Sequence, residues 1–208
     1  QAKTFGSLIQ ISDALDASLP KIGEGLISAR DKGDVFARLA AEDLIGLLSQ
    51  GLVLSMKFDA VVANPPYMGG KGMHPGLKSF ALNNFERGKS DLFSMFMERG
   101  VLLCKDSGMC SMVTMQSWMF LSSYESLRNW IVNEASIDTL MQIGYNSFPE
   151  LNSKVAQACA FVIYRSPVLV NGSYFDLNDV SQSADKDKVF LEKKSKGKGK
   201  VVDIRRFR

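Results

Sequence analysis

A short apolar run that ends at two consecutive prolines constrains the fold of this chain more than any other feature. Residues 58–63, Phe-Asp-Ala-Val-Val-Ala, are rich in β-branched side chains and have the length of a buried parallel strand. Pro65 and Pro66 each lack a backbone N–H, so the strand cannot continue beyond Asn64 in a central position of a sheet. The sequence therefore predicts a buried strand whose carboxyl end opens into a rigid loop.

Apolar periodicity predicts further strands and helices on either side of this strand. The expected strands are 5–11, 58–63, 109–114, 137–143 and 155–164, and the expected helices are 34–49, 91–105 and a segment opened by a capping box at Ser122 and Glu125. Residues 12–33 are expected to be mixed, residues 67–90 to form a long loop, and strand 155–164 to lie at an edge or in a hairpin. This alternation predicts an α/β fold, a parallel sheet with helices on both faces.

The residues of the proline loop suit the methylation of an amine on an aromatic ring. Such an amine is a poor nucleophile because its lone pair is delocalised into the ring. The Asn64 side-chain oxygen and the Pro65 carbonyl oxygen can hold the amine hydrogens and favour a pyramidal nitrogen that attacks an electrophilic methyl group. The prolines fix the backbone, so these acceptors are preorganised, and Tyr67 offers a face for stacking on a flat base. The alternative is a proline-stiffened turn without catalytic function.

The cysteines and the histidine indicate no other chemistry. A cytosine-carbon methylase would need a thiolate that follows a proline, and none of Cys104, Cys110 and Cys159 stands in that setting. Each cysteine has apolar neighbours, which predicts buried free thiols. The single histidine, His74, is expected to be solvated or to face substrate, and no metal site is predicted.

Four segments carry a resemblance to a known family. They are Phe58–Tyr67, Met68–Met73, Lys89–Phe93 and Met112–Ser122. The first resembles motif IV of the amino-methyltransferases that use S-adenosylmethionine (SAM). Together the segments resemble the phage-exclusion (BREX-type) adenine methylases and the methylase parts of fused restriction-modification enzymes. The resemblance covers about residues 55–165 and is most specific in the proline loop.

The resemblance implies a Rossmann-like, SAM-dependent domain that flips adenine out of duplex DNA and methylates its N6 amine. It implies that the flipped base is held by Asn64, Pro65, Pro66 and Tyr67. Phe148 is similar in place to an aromatic residue that packs on the other face of the base. The alternative for Phe148 is an ordinary core position.

The same resemblance assigns Asp91, Leu92 and Phe93 to a motif whose helix start lines the cofactor pocket. Asp91 and Phe93 are the candidate cofactor-binding residues. The alternative for the three residues is a helix N-terminus followed by core side chains.

The cofactor half of such a domain is expected to be missing from this chain. The family has a glycine-rich turn after its first strand, and Lys21–Gly25 is a poor candidate because it follows a proline rather than an apolar strand. We expect the chain to be a fragment with three parts. Residues 1–54 would be the N-terminal part of a truncated methylase domain, 55–165 its catalytic half, and 166–208 a basic extension.

Charge and hydropathy add limits on partners. The net charge is only +3, and Lys193–Lys200 with Arg205–Arg208 hold much of the basic excess. This basic run is expected to be either a solvated loop or a phosphate-contacting segment. No apolar run has membrane-spanning length, so the cytoplasm is expected. The expected partners are double-stranded DNA and other defence-system subunits. Two alternatives stay open: methylation of a protein glutamine or RNA guanine, and a fragment that is inactive on its own.

Overall fold

Two long helices dominate the first of the two units into which the chain divides, residues 1–57. The computed structural model describes residues 2–145, 157–167, 171–180, 185–197 and 200–202. In the first unit the elements are helix α1 (Ala2–Phe5), a 3-10 turn (Gly6–Leu8), helix α2 (Asp13–Lys32) and helix α3 (Val35–Ser55). Leu19 lies beside Gly51 and Gly23 beside Leu48, so α2 and α3 pack as an antiparallel hairpin.

The prediction for the start of this unit is wrong. Residues 5–11 were expected to form a strand, but residues 2–8 are helical. Residues 12–33 were expected to be mixed, but they contain the 20-residue helix α2, which Ser12 caps by accepting a hydrogen bond from the Leu15 N–H at 3.4 Å. Each glycine inside a helix costs about 1 kcal/mol, and the packing of α2 against α3 offsets this cost.

Helix α3 begins where the sequence predicts. The Asp34 carboxylate accepts a hydrogen bond from the Ala37 N–H at 2.8 Å, so Asp34 is the N-cap. The predicted end at residue 49 is wrong, because the helix runs to Ser55. Over the described ranges of the chain, no helix combines the length and apolarity needed to cross a bilayer.

The second unit, residues 58–208, is built on a sheet. Its elements in chain order are β1 (Phe58–Ala63), α4 (Pro75–Asn84), α5 (Leu92–Leu103), β2 (Cys104–Met115), α6 (Glu125–Glu134), β3 (Ser136–Gly144), β4 (Ala158–Tyr164), β5 (Gly172–Asp176), α7 (Lys186–Ser195) and β6 (Lys200–Val202). Within the described residues the strand order is β1-β2-β4-β3-β5-β6. Strands β1 and β2 are parallel, as are β3 and β5, whereas β4 is antiparallel to both of its neighbours and β6 is antiparallel to β5. The predicted α/β class is confirmed, but the sheet is mixed rather than parallel, because β4 and β6 run antiparallel to their neighbours.

Strand β4 departs from the prediction of an edge or hairpin strand. It lies between β2 and β3 and pairs with both along its length. Its side chains at Cys159, Phe161 and Ile163 are buried. The edge prediction followed from the length of the run 155–164. A continuous apolar run is instead typical of a central strand, which is covered on both faces.

Three further predictions change in the second unit. The expected long loop 67–90 contains helix α4, which begins after His74. The His74 Nδ1 atom accepts a hydrogen bond from the Leu77 N–H at 3.2 Å, so this histidine is an N-cap. Helix α6 begins at Glu125 after a 3-10 turn and has no side-chain cap, so the capping-box prediction is wrong. The basic run is only partly a loop, because Lys193 and Lys194 lie in the last turn of α7.

The core of this unit lies between the sheet and helices α5 and α6. Trp118 is buried and packs edge-on against Phe161, with ring centroids 5.7 Å apart. Cys104, Cys110 and Cys159 are all free and buried, as predicted. Helix α5 packs on both β1 and β2, and it therefore lies directly behind the strand that carries the proline loop.

Gly100 permits the close approach of α5 to the sheet, and Gly100→Ala is expected to destabilise the chain by about 1–3 kcal/mol through overpacking. A Cβ atom at this position would lie 2.8 Å from Cys110 Sγ and 2.4 Å from Met112 Cε. Urea titration measures the change. Gly46→Ala is the control, because Gly46 lies in a helix where the added carbon would meet nothing within 4 Å beyond its chain neighbours and the helix's own backbone, and it should stabilise by up to about 1 kcal/mol. Equal effects of the two variants would contradict the packing argument.

Candidate active site

The proline loop lies where strand β1 ends, at the carboxyl edge of the β1–β2 pair. Ala63, the last residue of β1, pairs with Met112 of the parallel strand β2. Pro65 is buried, whereas Asn64 and Pro66 are exposed. The structure thus places the Asn64 side chain on the surface beside a buried proline, at the sheet edge where open α/β folds bind ligands.

The Asp91 carboxylate links the proline loop to the start of helix α5. Its Oδ1 atom accepts hydrogen bonds from the Met68 N–H at 3.0 Å and from the Phe93 N–H at 3.1 Å. The same oxygen therefore caps α5 and holds the residue that follows Tyr67. The Asp91 N–H donates to Ser94 Oγ at 3.2 Å, which completes a capping box.

Backbone hydrogen bonds reinforce this link. The Leu92 N–H donates to the Met68 carbonyl at 3.0 Å, and the Gly70 N–H donates to the Ser90 carbonyl at 3.2 Å. Gly69 forms an antiparallel bridge with Asp91. A segment that is 23 residues away in the sequence thus fixes the position of the chain just beyond the proline loop. We call this set of contacts between residues 68–70 and 90–92 the Asp91 clamp.

The Tyr67 ring is half-buried and packs against the core. It meets the Phe93 ring edge-on, with centroids 6.1 Å apart. Its hydroxyl is buried, and among the described residues it has no hydrogen-bond partner. Burial, with a smaller contribution from the nearby Cys159 thiol, raises the pKa of Tyr67 to about 12.

The structure brings Tyr67, Asp91 and Phe93 together, and Asn64 lies in the same loop as Tyr67. Phe93 is fully buried in the core and Asp91 is buried with its Oδ1 atom engaged by two backbone donors. Their assignment to the cofactor stays a prediction. Phe148 lies outside the described residues.

Sequence reasoning missed the ion pair that supports this region. Arg87 donates to Glu98 Oε1 at 3.0 Å, and the Gly88 N–H donates to Glu98 Oε2 at 2.9 Å. The Arg87 guanidinium also lies 5.1 Å from the centroid of the Trp130 ring. Arg87 therefore fastens the chain before α5. The sequence signal for this pairing is Glu98, an acidic residue within the mostly apolar helix α5.

The sequence of this chain is similar to those of known restriction-modification and adenine-specific methyltransferases. The family model described as Eco57I restriction-modification methylase matches residues 18–148, more than half of the chain. Over 162 residues, 78% of the chain, the sequence is 46% identical to the adenine-specific methyltransferase BrxX of Escherichia coli O9:H4 (strain HS). Over 91% of the chain it is 32% identical to the adenine-specific methyltransferase PglX of Lacticaseibacillus casei (strain Zhang). The chain spans only 13% and 16% of the lengths of these two relatives.

Solved structures share the fold at low sequence identity. One is the modification subunit assigned to a type I restriction enzyme of Vibrio vulnificus YJ016, with 14% identity, a TM-score of 0.52, and coverage of 78% of this chain and 40% of that subunit. Another comes from a type I restriction-modification system, with 19% identity, a TM-score of 0.51, and coverage of 67% and 29%. Because the family model matches more than half of its residues, this chain belongs to the Eco57I restriction-modification methylase family.

Proposed function

We propose that the protein containing this chain transfers a methyl group from SAM to the N6 amine of a flipped adenine in duplex DNA, as part of a restriction-modification or phage-defence system. The observation that carries the proposal is an exposed Asn64 beside a buried Pro65 at the end of β1, with the Asp91 clamp just beyond them. The names of the two relatives, both adenine-specific methyltransferases, support adenine as the substrate. Other defence-system subunits are proposed as partners of the whole protein.

The proposed chemistry assigns a task to each residue of the loop. The Asn64 side-chain oxygen and the Pro65 carbonyl oxygen accept the two amine hydrogens, and Pro66 fixes the backbone between them and Tyr67. SAM, when bound, supplies the electrophilic methyl group. No strong base is needed before attack, because the amine loses its proton after the methyl group has moved. Tyr67 and Phe148 are proposed to pack on the flipped base.

We propose that other parts of the whole protein complete the SAM site. Within the described sheet, β1 lies at an edge, and its apolar Val62 is 78% exposed. Parallel strands are normally covered on both faces, so the exposed Val62 side chain marks a face that other elements can cover. The unpaired backbone edge of β1 is suited to pairing with a further strand. Buried Asp91 and Phe93 leave little surface for a cofactor in this chain alone. On this proposal, residues 55–165 are the catalytic half of the domain, flanked by residues 1–54 and 166–208.

The chain alone is therefore expected to bind SAM weakly, and isothermal titration calorimetry measures this. The full-length protein, titrated in parallel, is the positive control. Binding of equal affinity by both proteins would contradict the assignment of the SAM site to other parts of the protein.

The decisive assay for the function uses the full-length protein, tritiated SAM and duplex DNA. Enzymatic digestion of the product should place the label on N6-methyladenine. Label on cytosine, or on protein only, would refute the adenine assignment and favour another planar amine as substrate.

Tyr67→Phe is expected to keep methyl transfer within about threefold of the wild type. The hydroxyl has no partner among the described residues, and a buried unsatisfied hydroxyl can be removed at little or no cost. Tyr67→Ala, which removes the stacking face, should lose about 1–3 kcal/mol of base binding. Methylation kinetics of the full-length variants measure both effects. A large loss of transfer in Tyr67→Phe would show that the hydroxyl has a catalytic task.

A further inference from the structure

A cavity lies at the same carboxyl edge of the sheet as the proline loop, outside that loop. Its volume is about 240 Å³. The residues that matter for its chemistry are Met115, Gln116, Phe120, Leu121, Tyr145 and Gln157. They come from the carboxyl ends of β2 and β3 and from the residue that precedes β4. Because β1 and β2 are parallel neighbours, this cavity and the proline loop open at the same edge of the sheet.

The polar group of this cavity is a pair of amide side chains. Gln116 is 5% exposed, and its Nε2 atom donates to Gln157 Oε1 at 2.7 Å. The two backbones are also joined, since the Gln116 N–H donates to the Gln157 carbonyl at 2.8 Å. Gln116 Oε1 is buried without a hydrogen-bond partner in the part of the chain that the structure describes. An acceptor in this state costs folding free energy, which a ligand that donates a hydrogen bond would recover.

The walls of the cavity are flat and apolar. Phe120 is 62% exposed and Tyr145 is 42% exposed, although both are aromatic. Neither a carboxylate nor a cationic side chain lines the cavity among the described residues. Aromatic faces beside an amide are suited to a planar heterocycle that stacks and presents a hydrogen-bonding edge. Glutamine makes such contacts with base edges, most often with adenine.

We propose that this cavity binds a second nucleobase of the DNA, distinct from the methylated adenine, and that Gln116 contributes to sequence recognition by pairing with the edge of that base. The proposal rests on the proposed function. The cavity begins at the carboxyl end of β2, one strand spacing of about 4.8 Å from the end of β1 that carries the proline loop. The terminal torsion of a glutamine is broad, so the Gln116 amide can turn from Gln157 toward a base. The bound base is either a neighbour of the target adenine in its own strand or the partner that the flipped adenine leaves unpaired.

The experiment expresses the full-length protein in a host without other adenine methylation and maps N6-methyladenine across the genome by single-molecule sequencing. Wild-type protein should define one methylated motif. Gln116→Leu should lower methylation at that motif at least tenfold and add sites that differ from it at one position. Phe120→Ala changes an exposed residue, so it should fold normally and shift recognition in the same direction.

Gln142→Leu is the matched control, because Gln142 is a half-buried glutamine on β3 that does not line the cavity. It should leave the motif unchanged. If Gln116→Leu fails to fold, Phe120→Ala decides the question. An unchanged motif in the folded variants, with or without uniform loss of methylation, would overturn the proposal. Absence of adenine methylation by the wild-type protein would instead refute the proposed function.

Oligonucleotides that contain the wild-type motif distinguish the two sources of the base. An abasic site replaces either the partner of the target adenine or one of its neighbours. The difference in methylation rate between wild type and Gln116→Leu should vanish for the duplex that lacks the bound base. A difference that persists in every abasic duplex would overturn the proposal.

Discussion

Asn64→Ala should lower the rate of methyl transfer by the full-length protein at least about a hundredfold, because it removes one of the two acceptors that hold the target amine. Asn64 is exposed, so the free energy of unfolding should change by no more than about 0.5 kcal/mol. Single-turnover kinetics with tritiated SAM and duplex DNA measure the transfer step separately from binding.

One further variant tests whether the acceptor oxygen of Asn64 is what matters, and one serves as a control. Asn64→Asp keeps an acceptor oxygen in the same place, so it should retain more activity than Asn64→Ala. Asn83→Ala is the control, because Asn83 is an exposed asparagine on helix α4, and it should transfer at the wild-type rate. If Asn64→Ala keeps its rate, the proline loop is a stiffened turn without a catalytic task.

The strand before the proline loop was predictable because its signal is local. Residues 58–63 form a short, mostly apolar run with two adjacent valines, and the prolines end it, so no distant contact is needed to define the element. Helix α5 follows from Asp91 in the same way, because an N-cap and the apolar face behind it are read from adjacent residues. Helix α2 was missed because its glycines weaken the local signal, while the packing against α3 that stabilises it is tertiary.

The contacts of the site were less predictable than its residues. The sequence indicated Asp91, but the Asp91–Met68 hydrogen bond joins residues 23 positions apart and has no periodic signal. The position of β4 in the sheet likewise depends on its pairing with two strands, and Gln116 meets Gln157 only through that pairing. Residue types at an element boundary therefore revealed where chemistry could occur, whereas the pairing of distant segments decided which side chains meet.

Asp91→Ala should lower methyl transfer about tenfold to a hundredfold, because it releases the Asp91 clamp from Met68 and allows the proline loop to shift. The same change removes the cap of α5, which costs about 1 kcal/mol. Asp34→Ala is the matched control, because it removes the N-cap of α3 and leaves the clamp intact. It should lose a similar free energy of unfolding but transfer the methyl group at close to the wild-type rate. Transfer by Asp34→Ala that falls as far as in Asp91→Ala would attribute the loss to stability alone.

Asp91→Asn then tests whether the clamp requires the charge of Asp91 or only its oxygen. The amide oxygen can accept the same two backbone hydrogen bonds, so this variant should keep transfer within about threefold of the wild type, whereas loss as large as in Asp91→Ala would show that the charge itself is required.

Burial raises the pKa of Asp91 above its ordinary value of 3.8, although the backbone donors, with Met68 first, oppose this shift. The stabilisation from its bound proton is therefore complete below pH 3.8 and is lost as the pH rises through the folded-state pKa. Asparagine does not titrate, so the unfolding free energy of Asp91→Asn relative to the wild type should rise with pH over that interval and then level off. Urea titrations at a series of pH values measure it, and a relative stability that falls over the interval would mean that the hydrogen bonds to the carboxylate outweigh its burial.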